Sequence, residues 1–141
     1  MDIRKLTPDL SVSPQITPED APAIAAAGFR TVICNRPDAE NPPPLHAEHL
    51  RAAVEAAGMT FLHLPFDGST MTAEVIVELR DMIATAQTPV LAYCRTGTRC
   101  TNAWALGQAG ETPASDIMTA AAQAGYDVSG LAPYLSQKIT L

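Results

Sequence analysis

A chain of 141 residues that is 47% hydrophobic has enough apolar material to bury one core without disulfides or a structural metal, so a single domain over residues 1–141 is expected. The formal net charge of -6, with nine Lys and Arg scattered along the chain, excludes a nucleic-acid footprint, and no run of about 18 uncharged apolar residues offers a membrane span. Three cysteines are too few for a disulfide scaffold and Met1–Leu10 lacks secretory character, so a reducing, cytoplasmic setting is expected.

In chain order, Ile3–Leu6 and Leu10–Val12, punctuated by Pro8 and Pro14, read as an edge hairpin. Thr17 as N-cap, Pro18 in the first turn, the acidic Glu19 and Asp20, and Gly28 as a stop predict a helix over Pro18–Ala27. Phe29–Cys34 is an apolar, β-branched run closed by the Asn35–Asp38 turn, a buried strand. Leu50, Ala53, Val54 and Ala57 place a helix over Leu45–Ala57, with Gly58 at its end, and Met59–Leu64 reads as the next strand. Thr72 caps a helix to about Thr85 with Val75, Ile76, Leu79, Met82 and Ile83 on one face.

Val90–Tyr93 is a short apolar strand that ends at Cys94. The polar run Cys94–Arg99 follows, then the helical Ala103–Leu106. Residues 113–124 and 131–136 read as closing helices with a structural role. Strands alternating with helices imply an α/β fold, a mainly parallel sheet of four or five strands flanked by helices. Its ligands are expected beyond the carboxyl ends of the strands, where the Cys94 loop lies.

A loop between a strand end and a helix start turns backbone N–H groups inward, and the helix N-terminus adds partial positive charge. That field favours a thiolate, so Cys94 is expected to be the nucleophile, with Arg95, Thr96, Gly97, Thr98 and Arg99 binding an anion. Gly97 allows the tight backbone that such a cradle needs. Cys100 is a candidate resolving thiol for an oxidised or persulfidated Cys94; its plainer reading is a small buried residue of the first helical turn. His46, His49 and His63 have no acidic or cysteine partner at ligand spacing, so neither a metal nor another cofactor is expected.

The run Cys94–Arg99 resembles the active-site loop shared in outline by rhodanese sulfurtransferases and cysteine-dependent phosphatases. More closely, Thr31–Glu40 (TVICNRPDAE), Pro65 and Tyr93–Leu106 (YCRTGTRCTNAWAL) are similar to the phosphatase-like domain of beta-lactamase hydrolase-like proteins, over residues 1–110. The resemblance implies a three-layer sandwich like that of dual-specificity phosphatases. Members of that family are described both as phosphatases and as sulfur transferases, and some are joined to a persulfide dioxygenase, which implies a functional link to such an enzyme.

Cysteine phosphatases place five residues between cysteine and arginine, whereas four separate Cys94 from Arg99 here. That shorter spacing resembles rhodanese-like loops, and on it the expected reaction is sulfur transfer. Cys94 would take a sulfur from thiosulfate or a low-molecular-weight persulfide and pass it to a thiol. The alternative is hydrolysis of a phosphorylated substrate through a phosphocysteine, for which the resemblance offers Asp67 as general acid. Asp67-Gly68 also reads as an ordinary turn, and Asp38 and Glu40 are weaker candidates.

Overall fold

The computed structural model describes residues 1–141. Five strands form one sheet: β1 (Arg4–Lys5), β2 (Leu10–Ser13), β3 (Thr31–Cys34), β4 (Thr60–His63) and β5 (Val90–Tyr93), in the order β1-β2-β5-β3-β4. Only the β1–β2 pair is antiparallel. The predicted hairpin is present, but only β1 is an edge; β2 is an inner strand, paired in parallel with β5 along Leu10–Ser13 and Val90–Tyr93. This strand is therefore buried at all four residues, including Ser11 and Ser13.

Strand alternation divides the interior into two layers. Val32, Cys34, Leu91 and Tyr93 pack with α1 (Ala21–Ala26) and α2 (Ala47–Ala56) on one face. Ile33, Val90, Ala92 and Cys94 pack on the other face with α3 (Ala73–Thr85), α4 (Thr98–Gln108) and α5 (Ala114–Gln123). Each large aliphatic side chain fully buried in these layers contributes about 1.5–3 kcal/mol.

Prolines account for most departures from the predicted helix limits. The helix expected over Pro18–Ala27 opens as a 3-10 turn at Pro18–Asp20, with the Thr17 N–H donating to the Asp20 carboxylate at 2.9 Å, and becomes α-helical only at Ala21. The helix expected from Leu45 begins at Ala47. Pro42, Pro43 and Pro44 supply no N–H donors, and Pro43–Leu45 forms a separate 3-10 turn. The Thr72 cap is present, its hydroxyl accepting from the Val75 N–H at 3.3 Å. The last closing segment is a 3-10 helix over Ser129–Tyr134.

Candidate active site

Strand β5 lies between β2 and β3, so the loop leaving its carboxyl end emerges at the middle of the sheet. Cys94 continues the alternation of Val90 and Ala92 and faces the α3–α4–α5 layer, with 0% of its surface exposed. Its N–H donates to the Ser13 carbonyl at 3.4 Å, and the Arg95 carbonyl accepts from the Gln15 N–H at 3.2 Å. The start of the loop is thereby tied to β2 and the segment after it.

The chain reverses at Gly97, whose φ of +90° lies in the left-handed region that favours glycine. Helix α4 starts at Thr98, so Thr98, Arg99 and Cys100, expected to belong to or border the polar loop, occupy its first turn. The Gly97 N–H points inward and donates to the Cys94 sulfur at 3.1 Å. Thr96 Oγ1 accepts from the Thr98 N–H at 3.3 Å and bonds the Thr98 hydroxyl at 3.0 Å, so both threonine hydroxyls are engaged in holding the loop against the helix start. Arg95 is exposed.

These donors lower the Cys94 thiol to about 5. The hydrogen bond from the Cys100 thiol contributes most, and the backbone N–H groups of Cys100, Thr96 and Gly97 add to it, against burial, which acts in the opposite sense. Cys100 is itself pushed well up by burial, so it stays a neutral S–H donor. Cys34, on the opposite face of the sheet, is raised by burial, and its thiol donates to the Arg36 carbonyl at 3.4 Å.

Arg99 projects from the first turn of α4 to Glu40, in the segment after β3. Its two Nη atoms meet the two carboxylate oxygens at 2.8 and 2.6 Å, and one also donates to the Phe66 carbonyl at 3.0 Å. Arg36 reaches the same carboxylate at 3.3 Å. Hydrogen bonds from Arg99 first, and then from Arg36, hold Glu40 below the usual carboxylate range. The sequence offers Glu40 only as a weak proton donor, and Arg36 not at all. Asp38 lies beside them, but its carboxylate accepts from the Ala47 N–H at 2.8 Å and caps α2.

Asp67 Oδ1 accepts from the N–H and hydroxyl groups of both Ser69 and Thr70, at 2.7 to 3.2 Å. Those bonds, the Ser69 hydroxyl first, hold the carboxyl below its ordinary value, which suits a turn better than a proton donor. The three histidines do not come together, and none of them joins a cluster of three or more His, Cys, Asp or Glu side chains; His49 meets only Glu48, at 3.6 Å. One contact was invisible in the sequence: the Tyr126 hydroxyl, from the closing segment read as structural, donates to the Thr96 carbonyl at 3.0 Å. An isolated tyrosine after Gly125 carries no spacing signal that would assign it there.

A mainly parallel sheet with a cysteine-bearing loop at the end of its central strand, leading into a helix that carries an arginine, is the cysteine-phosphatase-like architecture, and structural neighbours of that class share it. Within that class, the chain belongs to the family of the phosphatase-like domain of beta-lactamase hydrolase-like proteins, whose sequence profile matches residues 2–111. A beta-lactamase hydrolase-like protein of Agrobacterium fabrum is 32% identical over 131 residues, 92% of this chain; the chain spans 30% of that relative's length. A crystal structure of a candidate phosphatase from Neisseria meningitidis Z2491 superposes with a TM-score of 0.85 at 39% identity, over 96% of both chains. TpbA of P. aeruginosa, solved as a Cys-to-Ser variant with phosphotyrosine, shares the fold at TM-score 0.59 and 18% identity, over 96% of this chain and 91% of its own.

Proposed function

We propose that the chain is a cysteine-dependent phosphomonoester hydrolase in which Cys94 is the nucleophile and Arg99 the oxyanion clamp. The observation that carries this reading is the two-pronged grip of Arg99 on Glu40: a guanidinium displayed as a fork beside a thiolate loop fits the O–P–O edge of a phosphoryl group. In the resting conformation Cys94 is enclosed, so substrate entry requires side chains over the loop to move. Glu40 is the anion that the substrate's oxyanion replaces on Arg99.

The thiolate attacks phosphorus, the S–P bond forms, and the ester P–O bond breaks with its electron pair leaving on oxygen. Water then attacks the phosphocysteine, releasing phosphate and restoring the thiolate. Loop N–H groups and Arg99 stabilise the charge that develops on the phosphoryl oxygens. Asp67, committed to its own turn, is not assigned the protonation of the leaving oxygen. The resemblance in fold to TpbA makes phosphotyrosine a suitable first substrate to try.

Sulfur transfer is the second reading, favoured by one observation, the four residues between Cys94 and Arg99. A cradle one residue shorter than that of cysteine phosphatases suits a single terminal sulfur, with thiosulfate or a low-molecular-weight persulfide as donor and a functional link to a persulfide dioxygenase. The deciding experiment offers purified protein p-nitrophenyl phosphate and, separately, thiosulfate or glutathione persulfide. Phosphate release that disappears in Cys94→Ser supports hydrolysis. No phosphate release, together with a mass gain of one sulfur atom on Cys94, overturns it in favour of sulfur transfer.

A further inference from the structure

One peptide group, the link between Thr96 and Gly97, has both of its polar atoms engaged. Its N–H points inward to the Cys94 sulfur at 3.1 Å, and its carbonyl points outward and accepts from the Tyr126 hydroxyl at 3.0 Å. In a trans peptide these two directions are opposed and fixed together by one plane, so whatever holds the carbonyl also aims the N–H.

We propose that Tyr126 is a positioning residue of the active site, which orients and polarises the Thr96–Gly97 peptide so that its N–H stays on the Cys94 thiolate. This role rests on Cys94 being the nucleophile but is indifferent to whether phosphorus or sulfur is transferred.

Three independent features support it. The phenol lies so close over Gly97 that a Cβ built there would collide with Tyr126 Oη, so ring and loop are fitted to one another. Tyr126 is anchored from a distant part of the chain: Arg4 on β1 donates to the Ala124 carbonyl at 3.0 Å, and its guanidinium fills the space a side chain on Gly125 would take. Burial raises the phenol, so it remains a donor wherever the thiolate is needed. A hydrogen bond to a peptide carbonyl also strengthens the donor at the other end of the same peptide.

The groups that sense the charge of Cys94 are Cys34 on β3, Arg99 and Cys100 on α4, and Tyr126. Both other thiols are raised by burial and the guanidinium stays charged, so a thiolate titration in mildly acidic solution reads Cys94 alone.

The test is the ultraviolet thiolate absorbance of full-length Tyr126→Phe against pH, with Cys94→Ser subtracted, and with thermal unfolding recorded alongside. The expected result is a midpoint higher by about half a pH unit, equivalent to roughly threefold less thiolate below the midpoint, with the unfolding temperature unchanged. An unchanged or lower midpoint in the folded variant overturns the role. Should Tyr126→Phe fail to fold, Arg4→Gln, which loosens the Ala124–Tyr126 turn but keeps the phenol, is judged by the same two outcomes at a smaller shift. Retained phosphatase turnover in Cys94→Ser would instead remove the nucleophile, an outcome the titration cannot mimic.

Discussion

Glu40 and Arg99 meet head-on, two guanidinium nitrogens against two carboxylate oxygens, although they stand 59 positions apart in the chain. The contact joins the segment that follows β3 to the first turn of α4, and so ties the two sides of the sheet at the mouth of the cysteine loop. The Arg99 side chain is 18% exposed and that of Glu40 31%, which leaves the pair partly screened by solvent.

Glu40→Gln keeps the shape and removes the charge. It is expected to destabilise the protein by about 1 kcal/mol in urea unfolding. It should also tighten competitive inhibition by inorganic sulfate severalfold, because Arg99 no longer faces a resident anion. Weaker inhibition would mean that the carboxylate serves mainly to aim the guanidinium.

The pH dependence follows from Cys94. Its folded value of about 5 lies below the 9.0 of an unperturbed thiol, so the unfolded chain binds the extra proton between those limits. Stability from this group is fully present above about pH 9 and is lost as pH falls through about 5, with a slope of at most about 1.4 kcal/mol per pH unit. Urea unfolding should therefore show the parent gaining on Cys94→Ser as pH rises from 5 towards 9. Catalytic turnover should fall on an acid limb near pH 5.

The Cys100 thiol does most to lower Cys94, without ionising itself. Cys100→Ala is expected to slow alkylation of Cys94 at about pH 4, below the parent midpoint, by roughly tenfold, the worth of one hydrogen bond to a charged group. Cys100→Ser should keep most of the rate, since a hydroxyl can take the same place. Peptide mass spectrometry resolves the modified cysteine.

Gly97→Ala meets two obstacles, a φ of +90° and the Tyr126 hydroxyl. A loss of about 1–3 kcal/mol is expected, with activity reduced by at least about a hundredfold. Adding Tyr126→Ala should relieve the collision but not the backbone strain, so chemical denaturation of the double variant should recover only part of the loss.

Strands and helices were legible because their limits are marked locally: glycine at 28 and 58, the Thr72 cap, and the apolar Val90–Tyr93 run, which the structure matches residue for residue. The loop was legible for the same reason, since strand, cysteine, glycine and helix follow one another in the chain. What escaped the sequence depends on partners far apart in it. Strand order places β5 between β2 and β3, and no local signal encodes that insertion. Arg99 could be chosen as an anion ligand, but the carboxylate it holds lies 59 positions away. Asp67 has the composition of both a proton donor and a turn, and only its four acceptor contacts separate the two.

The reach of Tyr126 to Thr96 also bears on transplantation. Every side chain of the cysteine loop lies within the region that defines the family, yet the hydroxyl that steadies its central amide comes from beyond residue 111. A graft of the motif onto another scaffold, or a version trimmed at that boundary, would carry the reactive sulfur without the brace behind it.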